Sequence, residues 1–117
     1  MKLSGIILIL VFSTFCFSTF AQNETTTEEK FKVYGNCDMC KNTIETVVQA
    51  IDGVNYAKWN VDTKKMTVKF ESSKTDIESI KKEIAGVGYD TKEYRADDNT
   101  YNALHSCCKY KRPKPIK

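Results

Sequence analysis

The spacing of apolar residues between positions 31 and 94 constrains the fold of this chain more than any other feature. Apolar and polar residues alternate, with the period of two that is typical of strands, over residues 31–34, 54–61 and 65–70. After the first of these segments, the apolar residues follow the i, i+3, i+4, i+7 spacing of an amphipathic helix, and after the third they form an apolar stripe at i, i+3, i+7 and i+10. They are Ile44, Val47, Val48 and Ile51 in the first helix and Ile77, Ile80, Ile84 and Val87 in the second.

A short last strand is expected over residues 89–94, so the predicted order of elements is β-α-β-β-α-β. This is the split βαβ order of an α+β, ferredoxin-like sandwich, in which two helices cover one face of a four-stranded antiparallel sheet. We expect Asp52 and Gly53 to end the first helix. Thr75, with Glu78 three residues later, is expected to cap the second helix.

Residues 1–21 have the layout of a secretory signal peptide. Lys2 precedes an apolar run over residues 6–12, and the small residues Thr19 and Ala21 stand before a cleavage point. The run is shorter than the roughly 20 apolar residues that a membrane span needs, although a retained anchor is the alternative. We therefore expect a periplasmic or secreted protein.

Two segments of different composition flank the predicted domain, which spans residues 31–94. Residues 22–30 are polar and are expected to form a flexible leader. Residues 95–117 form a C-terminal extension, whose basic, proline-containing end from Lys111 onward is expected to be disordered. The net charge is only +3 and the basic residues are scattered up to that end, so the sequence does not favour nucleic-acid binding.

Cys37 and Cys40 are the residues that point most directly to a chemical function. Cys37 falls in the loop after the first strand and Cys40 in the first turn of the first helix, so their sulfur atoms can converge. The free N–H groups at a helix N-terminus favour the thiolate, which is the form that binds metals. Thiolates select soft or borderline ions: Cu(I) is the ion most expected here, with Zn(II), Hg(II) and Cd(II) as alternatives.

Two other functions are compatible with these cysteines. Cys37, Cys40, Cys107 and Cys108 would remain in an exported chain after removal of the signal peptide, and they could form disulfides. A Cys-x-x-Cys pair is also found in thiol–disulfide redox proteins. A redox protein and a disulfide-stabilised interaction module are therefore the alternatives to metal binding.

A Cys-x-x-Cys pair between the first strand and the first helix of a β-α-β-β-α-β unit resembles the heavy-metal-associated domain family. Copper chaperones, the N-terminal modules of copper-transporting P-type ATPases and the periplasmic mercuric-ion binding protein belong to that family. The resemblance covers residues 31–94 and includes Gly53-Val54 and Gly88-Tyr89. It implies that Cys37 and Cys40 bind the metal and that Tyr89 packs near the metal loop.

The metal loop departs from the usual family pattern. Gly35-Asn36-Cys37 is one residue shorter than the family's Gly-Met-Thr-Cys, and it lacks the methionine that anchors the loop. Met39 lies between the two cysteines instead, where its thioether could face a Cu(I) ion or point to solvent.

A second cluster lies in the extension, where His105 precedes Cys107 and Cys108. These three residues are additional candidate metal ligands that could fold back and cap the ion. The alternative is a disulfide, either to the domain or to a second molecule, because a bond between adjacent cysteines is strained.

The sequence therefore predicts an exported, non-catalytic protein that binds a soft metal ion through Cys37 and Cys40. Cu(I) is the ion that we expect. As a metallochaperone it would pass the ion to a metal-transporting membrane protein or to another metallochaperone. It would act as a monomer or as a dimer linked by metal or disulfide.

Overall fold

The computed structural model describes residues 25–115, so the predicted signal peptide lies outside the described part of the chain. Strands β1 (Thr26–Lys32), β2 (Val54–Trp59) and β3 (Lys65–Glu71) form an antiparallel sheet in the order β1-β3-β2. Helix α1 (Asp38–Gln49) packs against β2 and against helix α2 (Ile77–Gly86). No helix within residues 25–115 is long and apolar enough to cross a bilayer.

The core lies between one face of the sheet and the two long helices. The predicted alternation is confirmed over residues 57–59 of β2 and 65–70 of β3, where buried residues alternate with exposed or half-buried ones. Burial of each large apolar side chain contributes about 1.5–3 kcal/mol, so this single layer of side chains supplies most of the stabilising free energy. Its members include Ala57, Trp59, Met66, Val68 and Phe70 from the sheet and Cys40, Ile44, Val48, Ile80 and Ile84 from the helices.

Strand β1 begins five residues earlier than the sequence predicts. Residues 26–30, which were expected to belong to the flexible leader, pair with β3 from Thr26 opposite Glu71 to Lys32 opposite Lys65. Most of their side chains are exposed, so the strand is held by backbone hydrogen bonds rather than by an apolar face. That is why the segment carries no alternating pattern, and the prediction of a flexible leader over 22–30 is wrong for these five residues.

The predicted fourth strand over residues 89–94 is absent from the described part of the chain. One backbone hydrogen bond, from Tyr34 N–H to the Asp90 carbonyl at 2.9 Å, joins this segment to the residues after β1. The Asp90 N–H donates instead to the Tyr110 hydroxyl at 2.9 Å, and the Thr91 N–H donates to the Tyr94 carbonyl in a turn. Groups that a strand would use for pairing are therefore engaged elsewhere, and the α+β sheet has three strands here, not four.

The cap of α2 also differs from the prediction. Asp76, not Thr75, is the N-cap residue, and its carboxylate accepts a 2.7 Å hydrogen bond from the Ser79 N–H. This bond lowers the pKa of Asp76, because it favours the ionised carboxylate.

The C-terminal extension folds back onto the domain. A short helix α3 (Asp98–Asn102) and a 3₁₀ turn (Ser106–Cys108) bring Cys108 and Tyr110 into the core. The Tyr110 hydroxyl donates to the Gly88 carbonyl at 2.8 Å, and its ring stacks on Tyr89 with centroids 5.7 Å apart. The extension is therefore part of the same packed unit.

The basic end of the chain is anchored as well. The Arg112 guanidinium donates to both carboxylate oxygens of the fully buried Asp90, at 2.8 and 3.0 Å, and to Asp98 at 2.7 Å. The prediction of disorder from Lys111 onward is therefore wrong at Arg112, while residues 116–117 lie outside the described residues. A buried carboxylate needs such a partner because an unpaired charge in the interior is costly.

Candidate metal centre

Cys37 and Cys40 lie where the sequence places them, at the start of α1. Cys37 is the N-cap residue with extended backbone angles, and Cys40 is the third residue of the helix. This geometry turns both side chains to one side, and their Sγ atoms lie 3.7 Å apart. Cys40 is fully buried and Cys37 is half-buried, so the pair is reached from solvent on the Cys37 side.

The helix start lowers the pKa of the Cys37 thiol to about 7. The largest cause is a hydrogen bond from the Cys40 backbone N–H, one of the groups that have no partner within the helix. Further contributions come from the Cys40 thiol, the Met39 N–H and the Cys108 thiol, while partial burial opposes them. A substantial share of Cys37 is therefore thiolate near neutral pH, as a metal ligand must be.

A third thiol, that of Cys108, completes a compact cluster. The Cys108 Sγ lies 3.9 Å from the Cys37 Sγ, and the sulfur atoms of Cys37, Cys40 and Cys108 all lie within 4.8 Å of one another. Cys108 is buried, and that burial is the main reason why its pKa is raised to about 12. We refer to these three residues as the thiol cluster.

The other predicted candidates lie outside the thiol cluster. Cys107 is exposed, and its Sγ lies 3.9 Å from the Met39 Sδ and 3.8 Å from the Cys108 Sγ. His105 is exposed, and its backbone carbonyl accepts a 2.8 Å hydrogen bond from the Cys108 N–H. Cys37, Cys40, Cys107 and Cys108 are all free thiols in this structure.

Neighbouring residues hold the thiol cluster in place. The Asn36 N–H lies 3.4 Å from the Cys40 Sγ, and the Asn36 side chain donates to the Cys107 carbonyl at 3.3 Å. Tyr89 lies against the cluster, where burial and then hydrogen bonding with Cys40 and Cys108 raise the pKa of its phenol. Asn36 links the metal loop to the extension, and the sequence analysis missed it because a single asparagine in a loop carries no distinctive signal.

The metal loop rests on Trp59. A Cβ atom at Gly35 would lie 2.9 Å from the indole ring, so the backbone passes directly over it. The indole N–H is shared between the carbonyls of Val33 and Lys64, at 3.0 and 3.1 Å, which fixes the ring. A rigid aromatic surface thus supports the short loop, in which the family's usual methionine is missing.

The chemistry of this arrangement is that of a soft-ion site. Its three sulfur atoms form a partly buried cluster, and Cys37, whose thiol pKa is lowered, is its half-buried member. Thiolates without carboxylates or imidazoles favour soft ions such as Cu(I) over Mg²⁺ or Ca²⁺.

Comparison with known proteins agrees with this geometry. The pattern of the family described as "Heavy-metal-associated domain" matches residues 34–90, which include the cysteine pair. "Copper chaperone CopZ" from Staphylococcus epidermidis is 34% identical over 67 residues, which are 56% of this chain and 98% of that protein.

Solved structures resemble this fold over a similar share of the chain. The structure titled "CopZ metallochaperone" has a TM-score of 0.54 and 32% identity, and covers 56% of this chain and 98% of that one. The N-terminal domain of a potential copper-translocating P-type ATPase from Bacillus subtilis, in its Cu(I)-loaded state, has a TM-score of 0.55 and 28% identity. That match covers 57% of this chain and 85% of the other.

Proposed function

This chain belongs to the heavy-metal-associated domain family, and from that membership we propose that it is a metallochaperone that binds one Cu(I) ion through Cys37 and Cys40. The observation that carries the proposal is the 3.7 Å separation of the two sulfur atoms at the start of α1. Two sulfur atoms bound to one ion at about 2.3 Å lie no more than about 4.6 Å apart, so the two cysteines are close enough to share an ion.

Cu(I) is proposed as the cargo for two reasons. The matched relatives carry copper in their names, and one of the similar domains was solved in its Cu(I)-loaded state. The donor atoms at the pair are sulfur only, which suits a soft monovalent ion better than Zn(II), which prefers four ligands in a structural site.

The proposed partner is a metal-transporting membrane protein that carries a similar domain. The resemblance to the N-terminal domain of a copper-translocating ATPase supports such a transfer between related surfaces. The relatives matched over nearly their whole length are named as chaperones and not as enzymes, and we assign no catalytic step to the site.

We also propose that the protein is exported, on the basis of the signal-like residues 1–21. The mass of the protein isolated from its native compartment tests this. A chain that begins near Gln22 supports export, and a chain that retains residues 1–21 overturns it.

Titration with Cu(I) in competition with a chromogenic chelator tests the metal site. The reduced protein should bind one ion tightly, and the double substitution Cys37→Ser and Cys40→Ser should lower the affinity by at least a hundredfold. Cys107→Ser is the matched control, because Cys107 is an exposed cysteine outside the thiol cluster. Full affinity in the double variant would contradict the proposal, and so would disulfide reductase activity without metal binding.

A further inference from the structure

We propose that Cys108, supplied by the C-terminal extension, is the third ligand of this metal site and converts an open pair into a closed three-thiolate site. The inference rests on the proposed function, because it adds a ligand to the same ion. Its starting point is the position of the Cys108 sulfur, 3.9 Å from that of Cys37 and within 4.8 Å of that of Cys40.

The separations of the sulfur atoms fit three ligands around one ion, with the Cys40 and Cys108 sulfur atoms no more than 4.8 Å apart. With a metal–sulfur bond of about 2.3 Å, two sulfur atoms on opposite sides of an ion lie about 4.6 Å apart, and three around it in a plane lie about 4.0 Å apart. The separations of 3.7 Å for Cys37 and Cys40 and 3.9 Å for Cys37 and Cys108 are close to the second value. A linear site on the pair alone would need its sulfur atoms to move apart by almost 1 Å.

The fold holds Cys108 in this position through contacts on both sides of it in the chain. Before it, the Cys107 carbonyl accepts the Asn36 side chain, and the Cys108 N–H donates to the His105 carbonyl. After it, Tyr110 is buried against Tyr89, and Arg112 is paired with the buried Asp90. The extension is therefore fixed to the domain before any ion arrives, and little ordering is required when Cys108 binds.

Burial distinguishes Cys108 from its neighbour. Cys108 is 2% exposed and its sulfur faces the pair, whereas Cys107 is exposed and its sulfur lies near Met39. Cys107→Ser and Cys108→Ser are therefore matched variants, because they make the same change at adjacent residues. Only Cys108→Ser is expected to weaken metal binding.

A third ligand changes how the ion is released. On an open pair, a partner thiol can join the ion directly, but on a closed site the partner thiol must displace Cys108. The displacement is a balanced exchange, in which one metal–sulfur bond forms as the Cys108 bond breaks and the proton of the entering thiol goes to Cys108 or to water. We expect the intact site to hold Cu(I) more tightly and to transfer it more slowly than the same protein with Cys108→Ser.

X-ray absorption of the reduced protein with 0.8 equivalents of Cu(I) tests the coordination number directly. Wild type and Cys107→Ser should both show three sulfur neighbours, and Cys108→Ser should show two together with at least a tenfold loss of affinity. Two sulfur neighbours in the wild-type protein overturn the third-ligand proposal, whatever the variants do, so the test does not depend on whether Cys108→Ser folds.

The outcomes separate this proposal from the proposed function. If wild type and Cys108→Ser bind Cu(I) equally well with two sulfur neighbours, Cys108 is not a ligand but the pair remains the metal site. If the double variant Cys37→Ser, Cys40→Ser retains full affinity, the proposed function itself fails. Circular dichroism of the apo variants shows whether each one keeps the wild-type fold.

Discussion

Gly35 shows how strongly a single position constrains the metal loop. Its backbone lies so close to Trp59 that an added Cβ would lie 2.9 Å from the indole ring and 3.4 Å from the Cys40 Cβ. The ring cannot move aside easily, because Trp59 is fully buried and its N–H is bonded to two carbonyls. A glycine is needed here for close approach and not for an unusual backbone angle.

Gly35→Ala should therefore destabilise the protein by about 1–3 kcal/mol, the usual cost of forcing an extra methyl group into a packed site. Urea unfolding of the reduced apo protein measures the effect. Gly86→Ala is the matched control, because a Cβ at Gly86 meets nothing within 4 Å and should leave stability unchanged or raise it by about 0.5–1 kcal/mol. Equal stability of the two variants would show that the loop does not rest on Trp59.

At the level of single residues, the sequence predicts the cysteine pair, and it offers His105, Cys107 and Cys108 as further candidate ligands without deciding among them. Cys37 and Cys40 are fixed by local geometry, since both belong to one helix start. Cys107 and Cys108 differ by one position along the chain, and which of them points inward depends on how the extension packs. That packing is set by distant contacts, such as the one between Arg112 and Asp90, which no local pattern reveals.

The secondary-structure elements differ in how far the sequence predicts them. The helix α1 and the strands β2 and β3 lie close to their predicted bounds, because each buries one face and carries the matching period. The bounds of strand β1 and the presence of a strand over residues 89–94 were wrongly predicted, because backbone pairing decides both. Residues 26–30 pair with β3 although their polar sequence does not indicate a strand. In residues 89–94, backbone N–H groups bond to the Tyr110 hydroxyl and within a turn instead of to a neighbouring strand.

The clamp between Asp90 and Arg112 joins the last turn of the domain to the end of the extension. Arg112 has little exposed surface and pairs with both carboxylate oxygens, whereas Arg95 is more exposed and lies 3.9 Å from the same carboxylate. Asp90 also raises the pKa of the Arg112 guanidinium, because the ion pair favours its charged form. Arg112 is therefore the main ionic partner of the buried Asp90 carboxylate, and Arg95 is a more distant one.

Arg112→Ala should destabilise the protein by about 3–5 kcal/mol, because it leaves the buried Asp90 carboxylate without its main partner. Arg95→Ala should cost less, about 1 kcal/mol, because the Arg95 side chain is more exposed and lies 3.9 Å from the Asp90 carboxylate. Urea unfolding of the two variants and wild type gives both values. Similar losses in both variants would mean that the clamp acts as an ordinary surface ion pair.

For the whole molecule, the predicted boundary at residue 95 does not separate two independent parts. The extension contributes Cys108 and Tyr110 to the core. Ala96 is also buried, and its N–H donates to the Asp90 carboxylate at 2.7 Å. The same chain segment therefore completes the hydrophobic core and brings the third thiol to the pair. Stability and metal coordination should depend on it together.

A chain that ends at Tyr94 tests this dependence. It keeps every strand and the two long helices, but it exposes Tyr89 and removes the partner of Asp90, so we expect a loss of at least about 3 kcal/mol. For a domain of this size, that loss lowers the melting temperature by roughly 12 °C or more. A chain that ends at Pro115 is the control and should melt like the full protein, because it retains Arg112 and Tyr110.

Thermal melting followed by circular dichroism compares the two shortened chains, and amide exchange of α1 and β3 shows where protection is lost. If the chain that ends at Tyr94 melts within a few degrees of the control, residues 31–94 form the complete folding unit and the extension only covers it. If it melts far lower, the segment that carries Cys108 is an essential part of the hydrophobic core. Access to the metal would then be tied to a segment whose detachment weakens the fold.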